Sequence, residues 1–249
     1  MNRNEFLEAL PLTRITLKLT GAALEICTAD IDDIHVMASG SDKDAESLRI
    51  MVNADQLVLE QPASTLAKNP INKTWLQVTL RLPRTWKGRI EARTVSGWIT
   101  ARCLSGADLS LDSVSGTISG SELDFITISA RSVTGDVRIN GMSCEKCSLA
   151  STSGDVSALT ASLQRCSLNN ITGDATLSLY APFEEITATT VTGDVIIEAP
   201  MDVCSASLRS VSGRIRTSGV TVGEDGPKVR VTSVTGGLDL SCPDAEDEQ

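Results

Sequence analysis

The sequence predicts an all-β fold, a right-handed parallel β-helix (β-solenoid) wound from coils of 19–20 residues. Three observations carry this. A short glycine motif recurs eight times, apolar columns keep phase with it, and the composition is rich in Ser, Thr and Gly but only 3% aromatic. A core made almost without Phe, Tyr and Trp must be filled by small aliphatic side chains stacked in a regular way.

The motif is an aliphatic residue, Ser or Thr, Gly, often Asp, and an aliphatic residue. It starts as Val95-Ser96-Gly97-Trp98-Ile99 and Val114-Ser115-Gly116-Thr117-Ile118. It continues around Gly135, Gly154, Gly173, Gly193, Gly213 and Gly236, and successive glycines lie 19, 19, 19, 19, 20, 20 and 23 residues apart. Helical repeats run to about 33 residues or more and need helix formers, whereas this repeat is short and rich in Val, Ser and Thr.

Other columns share the phase. Seven residues before the glycine stand Leu109, Ile128, Cys147, Cys166 and Ile186, and five before stand Leu111, Ala130, Leu149, Leu168, Ala188 and Leu208. Apolar residues at period two mark strands with one buried face. The aliphatic residue two before the glycine breaks that parity. Hydropathy alone then puts a corner at pairs such as Asp112-Ser113, Arg131-Ser132 and Asn169-Asn170 and turns the aliphatic column inward. A second corner is expected five to ten residues after each glycine, where Gly120, Gly141, Pro182, Pro200 and Gly219 occur. Parallel strand pairing of one coil on the next, with a coil's remainder as crossover, implies the right-handed sense.

Four segments follow. Residues 1–12 form an N-terminal cap, read as a short amphipathic helix from Phe6, Leu7 and Leu10 and stopped by Pro11. Residues 13–93 form irregular first coils, 94–242 the regular repeats, and 243–249 an acidic disordered tail. Strands are expected at Ile15–Leu19, Leu24–Cys27, Ile34–Met37, Leu48–Val52, Leu57–Leu59 and Trp75–Leu82.

A net charge of −10 argues against nucleic acid, which requires a basic stripe. The only basic cluster, Arg81, Arg84, Lys87, Arg89 and Arg93 around Trp86, reads as a solvated strand edge. No stretch reaches the ~18 apolar residues of a membrane span. The first twelve residues lack the apolar run of a signal peptide, and seven cysteines are an odd number, so a reducing, cytoplasmic setting is expected.

With its reiterated [Val/Ile]-[Ser/Thr]-Gly-Asp-[Val/Ile] motif, and the strand Val78-Thr79-Leu80-Arg81-Leu82-Pro83 leading into Ile90 to Gly97, the chain resembles the bacterial putative-adhesin, β-strand-repeat family of unknown function. The resemblance covers residues 13–242. It implies a pectin-lyase-like right-handed β-helix and a link to the cell surface or envelope stress, and it brings no catalytic residues.

Candidate chemistry is sparse. Asp136, Asp155, Asp174 and Asp194 follow the glycine in four consecutive coils. In register they form a carboxylate column, which reads first as a solvated outer column, then as a weak calcium site or partner contact, and last as a hydrolytic pair. Cys144-Glu145-Lys146-Cys147 has the spacing of a zinc or redox half-site, but Cys147 sits in the inward column with Cys166, where free Cys acts as a small hydrophobe. No phosphate loop, dinucleotide fingerprint or nucleophile elbow occurs. No catalytic residue, metal or cofactor is assigned. The expected function is therefore non-catalytic binding or scaffolding toward a protein or a cell-envelope glycan surface. The alternatives are a polysaccharide lyase or hydrolase of pectin-lyase-like fold, or a self-assembling scaffold.

Overall fold

The computed structural model describes residues 2–9, 11–62 and 76–243 and is all-β apart from one short helix, Asp42–Ser47. Four strands of 17 residues, Ile99–Ser115, Ile118–Thr134, Val137–Ser153 and Val156–Thr172, run from one glycine to the next. Each is followed by a two-residue break at the glycine and the residue after it. Neighbouring strands pair in parallel with a 19-residue offset, Val137 opposite Ile118 on one side and Val156 on the other. The expected inward columns are buried: Leu111, Leu149, Leu168, Ile118 and Val156 are fully enclosed, with Val137 and Val195.

Within a rung the ladder skips three positions, for example Gly141, Glu145 and Thr152. The burial pattern changes parity at each skip. The first skip lies six residues after the glycine and uses left-handed backbone at Cys103, Glu122, Gly141 and Thr160. This is the second corner that the sequence suggests; Gly141 occupies it, whereas Gly120 is a buried strand residue.

The third skip reverses one expectation. The residues three before the glycine, Ser113, Ser132, Ser151 and Asn170, are buried, while Val114, Val133 and Ile171 beside them are about half exposed. Inward alternation thus continues one step further than hydropathy suggests, and the corner follows the aliphatic residue. In three of these rungs, though not at Ser113, the inward side chain meets a carbonyl at the glycine of the preceding rung. Ser132 Oγ donates to Gly116 O at 3.1 Å, Ser151 Oγ to Gly135 O at 2.9 Å and Asn170 Nδ2 to Gly154 O at 3.0 Å. A buried carbonyl without a partner costs more than a solvated methyl group gains, so the polar side chain goes in.

The glycine itself is required twice over. Gly154 has φ +145°, and a Cβ there would lie 2.5 Å from the Gly135 carbonyl oxygen. The same direct stacking of glycine on glycine repeats along the column.

Rung order departs from sequence order at both ends. Gly236 packs on Gly193, and Gly213 packs on Gly236. The strand Lys228–Thr235 therefore lies between Glu185–Thr192 and Val203–Ser212. At the other end Arg14–Ala29 stacks under Arg89–Ser96, and Gln56–Glu60 with Leu76–Pro83 forms the rung beyond it. In each case the segment nearer the chain terminus is tucked between two rungs, which satisfies both of its hydrogen-bonding edges.

The N-terminal segment is not the helix its apolar spacing suggests. Asn2–Glu8 is a strand, antiparallel to Asp33–Ser39, which is in turn antiparallel to Leu76–Pro83. Phe6 faces outward and packs edge-on against His35, with ring centroids 4.5 Å apart. An exposed sheet edge offers a row of unpaired donors and acceptors, and a strand satisfies them where a helix could not. Leu10, Trp75 and the acidic residues 244–249 lie outside the described residues.

Leu149→Ala should cost about 2–5 kcal/mol, as for other enclosed leucines. Gly154→Ala should cost at least about 2 kcal/mol although it adds only a methyl group. Urea unfolding of both variants checks this; a Gly154→Ala protein as stable as the parent would mean that the glycines do not stack as described.

Candidate functional site: a trough beside the glycine corner

The corner motif builds two features that recur from rung to rung. The first is a ladder of carboxylates. Asp136 Oδ1 accepts from the Asp155 N–H at 2.8 Å, Asp155 Oδ1 from the Asp174 N–H at 3.1 Å, and Asp174 Oδ1 from the Asp194 N–H at 2.8 Å. Asp194 Oδ1 closes the series on the Gly237 N–H at 2.6 Å. The chain leaves the regular ladder at this corner, so the backbone N–H lacks a carbonyl partner, and the side chain one rung away supplies the acceptor. Asp136 also pairs with Arg138 at 2.6 Å. The four aspartates are therefore brought into one column, as their spacing implies, and each is held by a backbone donor.

The second feature is a trough of about 850 Å³ that runs along the stack. Its floor is the buried polar column, Thr94, Ser113, Ser132, Ser151 and Asn170. One wall is the outward aliphatic column: Val95, Val114, Val133, Ile171 and Val191 are 43–50% exposed, with Thr152 in line. The opposite wall changes character along its length. Lys18, Arg93, Asp112 and Arg131 stand on successive rungs, then Ala150, Asn169 and Thr189. Arg93 is held by Glu91 at 2.8 Å and Asp112 at 3.4 Å. Isolated exposed aliphatics are ordinary, but five of them on six neighbouring rungs, interrupted only by Thr152, mark a contact surface.

The corner pattern runs from Gly97 to Gly236, and the likeness to known proteins reaches further, over nearly the whole chain. Residues 12–245 match the family described as Toastrack DUF4097. The chain belongs to that family. Solved structures similar to this Toastrack chain include a putative adhesin from Bacteroides fragilis, at 17% identity and a TM-score of 0.59, covering 98% of this chain and 97% of that one. Another is a putative adhesin from Parabacteroides distasonis, at 10% identity and a TM-score of 0.61, covering 96% and 97%. At these identities the likeness is one of fold. No curated protein matches the sequence.

The remaining candidates of the Toastrack chain are dispersed. In the basic cluster Trp86 is buried and donates its ring N–H to Leu12 O at 2.8 Å, while Arg89 pairs with Asp108 at 2.8 Å. Cys147 and Cys166 are buried register partners, as their column implies, and both are free thiols. Cys144 is buried beside them. Hydrogen bonding with Cys144 and Cys166, and then burial, push the Cys147 thiol well above its ordinary value. Exposed Cys103 is also raised, first by its hydrogen bond to Glu122 at 3.1 Å. The trough itself was not legible as a site in the sequence, although its signal, an aliphatic column out of parity with the core columns, was present.

Asp155→Asn should leave stability within about 0.5 kcal/mol, because the amide oxygen still accepts the Asp174 N–H, whereas Asp155→Ala should cost about 1 kcal/mol. A large loss in Asp155→Asn that added calcium reverses would make the ladder a cation site. Thiol labelling of the native protein should reach Cys242 first, Cys103 more slowly, and Cys144, Cys147 and Cys166 only on unfolding. Alkaline pH should speed Cys103, whose thiolate is the reacting form. Mass spectrometry that finds a Cys147–Cys166 bridge would contradict the reduced stack.

Proposed function

We propose that this Toastrack chain is a non-catalytic, adhesin-like binding module, a right-handed β-helix of 19–20-residue coils that presents one contact repeatedly along its length. The observation that carries this is the aliphatic wall, exposed on rung after rung at the glycine corner. A core-forming residue type kept half in solvent on five of six rungs weakens solubility unless something covers it. The partner is a protein or glycan surface of the cell envelope, a setting that the fold likeness to putative adhesins favours. Nucleic acid is disfavoured by the net charge of −10. The aspartates are occupied with backbone donors, which suits a structural role better than acid–base work on a sugar.

Lateral contact is favoured over end-to-end assembly. The strand Val203–Ser212 has an open edge on the outermost rung, and Ile215 there is 43% exposed where its column is otherwise buried. Between Val203 and Ser218 that rung carries Arg209, Arg214 and Arg216 and no acidic residue. Charged side chains on a terminal strand discourage pairing with another copy.

The protein should be monomeric by light scattering and should sediment with purified bacterial envelopes. A Val114→Glu, Val133→Glu double variant that keeps its circular dichroism should lose at least about tenfold in retention. Undiminished retention would move the contact elsewhere. Reproducible cleavage of any polysaccharide, abolished by Asp155→Ala or Asp174→Ala, would overturn the non-catalytic reading.

A further inference from the structure

We propose that the open edge of the outermost rung takes, as an added strand, an extended acidic segment of a partner protein in which apolar residues alternate with Asp or Glu. This surface lies at the end of the stack and is separate from the trough.

Unpaired backbone is the first argument. Ser205 donates its N–H inward to Pro227 O at 3.0 Å, and the Arg214 and Ser218 carbonyls accept from Leu238 and Cys242 on the neighbouring rung. Successive residues of a strand turn their backbone groups to opposite sides. Ala206, Leu208, Ile215 and Thr217 therefore aim theirs outward, and no strand pairs with them there among the described residues. Thr221–Val222 covers only the start of this edge, at Val203 and Cys204.

Unfinished core columns are the second. Ala206 and Leu208 are half-buried, whereas Val229 and Val231, their register partners one rung in, are buried. Ile215 is 43% exposed, although Leu238 and Val195 in the same column are buried. A strand laid on this edge with apolar side chains at every second position extends those columns by one rung. Its main chain meets the free donors and acceptors, and its alternate side chains give the selectivity. A nucleic acid offers neither.

Charge names the partner. In a chain of net charge −10, the stacked segments 205–218 and 228–241 carry Arg209, Arg214, Arg216, Lys228 and Arg230 against one carboxylate, Asp239. Asp239 is the register partner of Arg216, and Arg230 is held by Glu185 at 3.2 Å. Arg209 stands opposite Thr232, and Arg214 occupies the place after the glycine that holds Asp in four other rungs. The other acidic residues nearby, Asp202, Glu224 and Asp225, flank the end that Thr221–Val222 already covers. Two copies joined edge to edge would set these arginines against one another, whereas an acidic strand places a carboxylate beside each.

The test is fluorescence polarisation of a labelled peptide of alternating Val and Glu, about eight residues long, titrated with the full chain. Saturable one-to-one binding that weakens with added salt is expected. Replacing every Val by Ser, or every Glu by Lys, should abolish it. N-methylating one alternate set of peptide amides should abolish it and the other set should be tolerated, since only one set can face the edge. Arg209→Glu with Arg216→Glu should weaken the peptide about tenfold with unchanged circular dichroism. Arg89→Ala, in a distant ion pair, should bind like the parent. No saturable binding, binding indifferent to the double arginine change, or equal binding of the Ser-for-Val peptide would overturn the proposal. So would displacement by a single-stranded oligonucleotide as tight as by the peptide itself. Peptide binding seen only after removal of residues 244–249 would also overturn it, by giving the edge to the chain's own acidic segment. The Val114→Glu, Val133→Glu variant should bind the peptide like the parent; loss there would put the peptide in the trough, and envelope retention would still test the trough by itself.

Discussion

One close approach governs this molecule: the backbone of each corner glycine from Gly116 to Gly236 rests directly on the carbonyl of the glycine one rung away, as Gly97 rests on that of Ala22. Paired strands sit ~4.8 Å apart, and at a corner the backbone must turn without losing that spacing. Only a residue lacking Cβ can hold φ near +145° with a carbonyl oxygen where its side chain would be. Fixing this contact in every rung fixes the register of the whole stack. A slip of one residue would bring a Cβ onto the neighbouring backbone and turn the buried Leu and Ile columns outward.

The neighbours of the glycine follow from the hydrogen-bonding groups that the turn frees. At Ser132, Ser151, Asn170 and Ser210 the residue three before it turns inward and donates to the glycine carbonyl one rung away, whereas Ser113, Thr190 and Ser233 are buried at that position with no hydrogen-bond partner among the described residues. The residue after it is Asp in four rungs because the next corner N–H needs an acceptor. With a polar residue turned in, the aliphatic residue beside it is turned out. The exposed wall is therefore tied to the architecture, since the same alternation that satisfies the glycine carbonyl leaves Val114, Val133 and Ile171 half in solvent. What the architecture does not require is that they be aliphatic. Thr152, at the same place, shows that a polar residue is tolerated there.

The ends of the stack meet a different constraint, the unpaired strand edge. Arg14–Ala29 and Lys228–Thr235 are each enclosed between two rungs and hydrogen-bonded on both sides. The edge beyond is closed on one side by the antiparallel strands Asn2–Glu8, Asp33–Ser39 and Arg49–Asn53. On the other side the last rung carries three arginines.

The sequence by itself determined what repeats. The glycine spacing established the rung length, and the columns holding Leu111, Leu149, Cys147 and Cys166 identified the core, because a period-two pattern over many rungs leaves one burial scheme for strongly apolar residues. Tertiary structure decided what depends on the partner one rung away. Hydropathy sends Val133 in and Ser132 out, and only the Gly116 carbonyl, nineteen residues before Gly135, reverses the two. The order of the Gly213 and Gly236 rungs was equally hidden, since both carry the same motif and either satisfies the same neighbours locally. Phe6 and Leu7 were read as helical because local spacing cannot register a sheet edge waiting to be paired. In each case the deciding group was an unpaired backbone donor or acceptor distant in sequence, and such a group becomes visible only when the rungs are stacked.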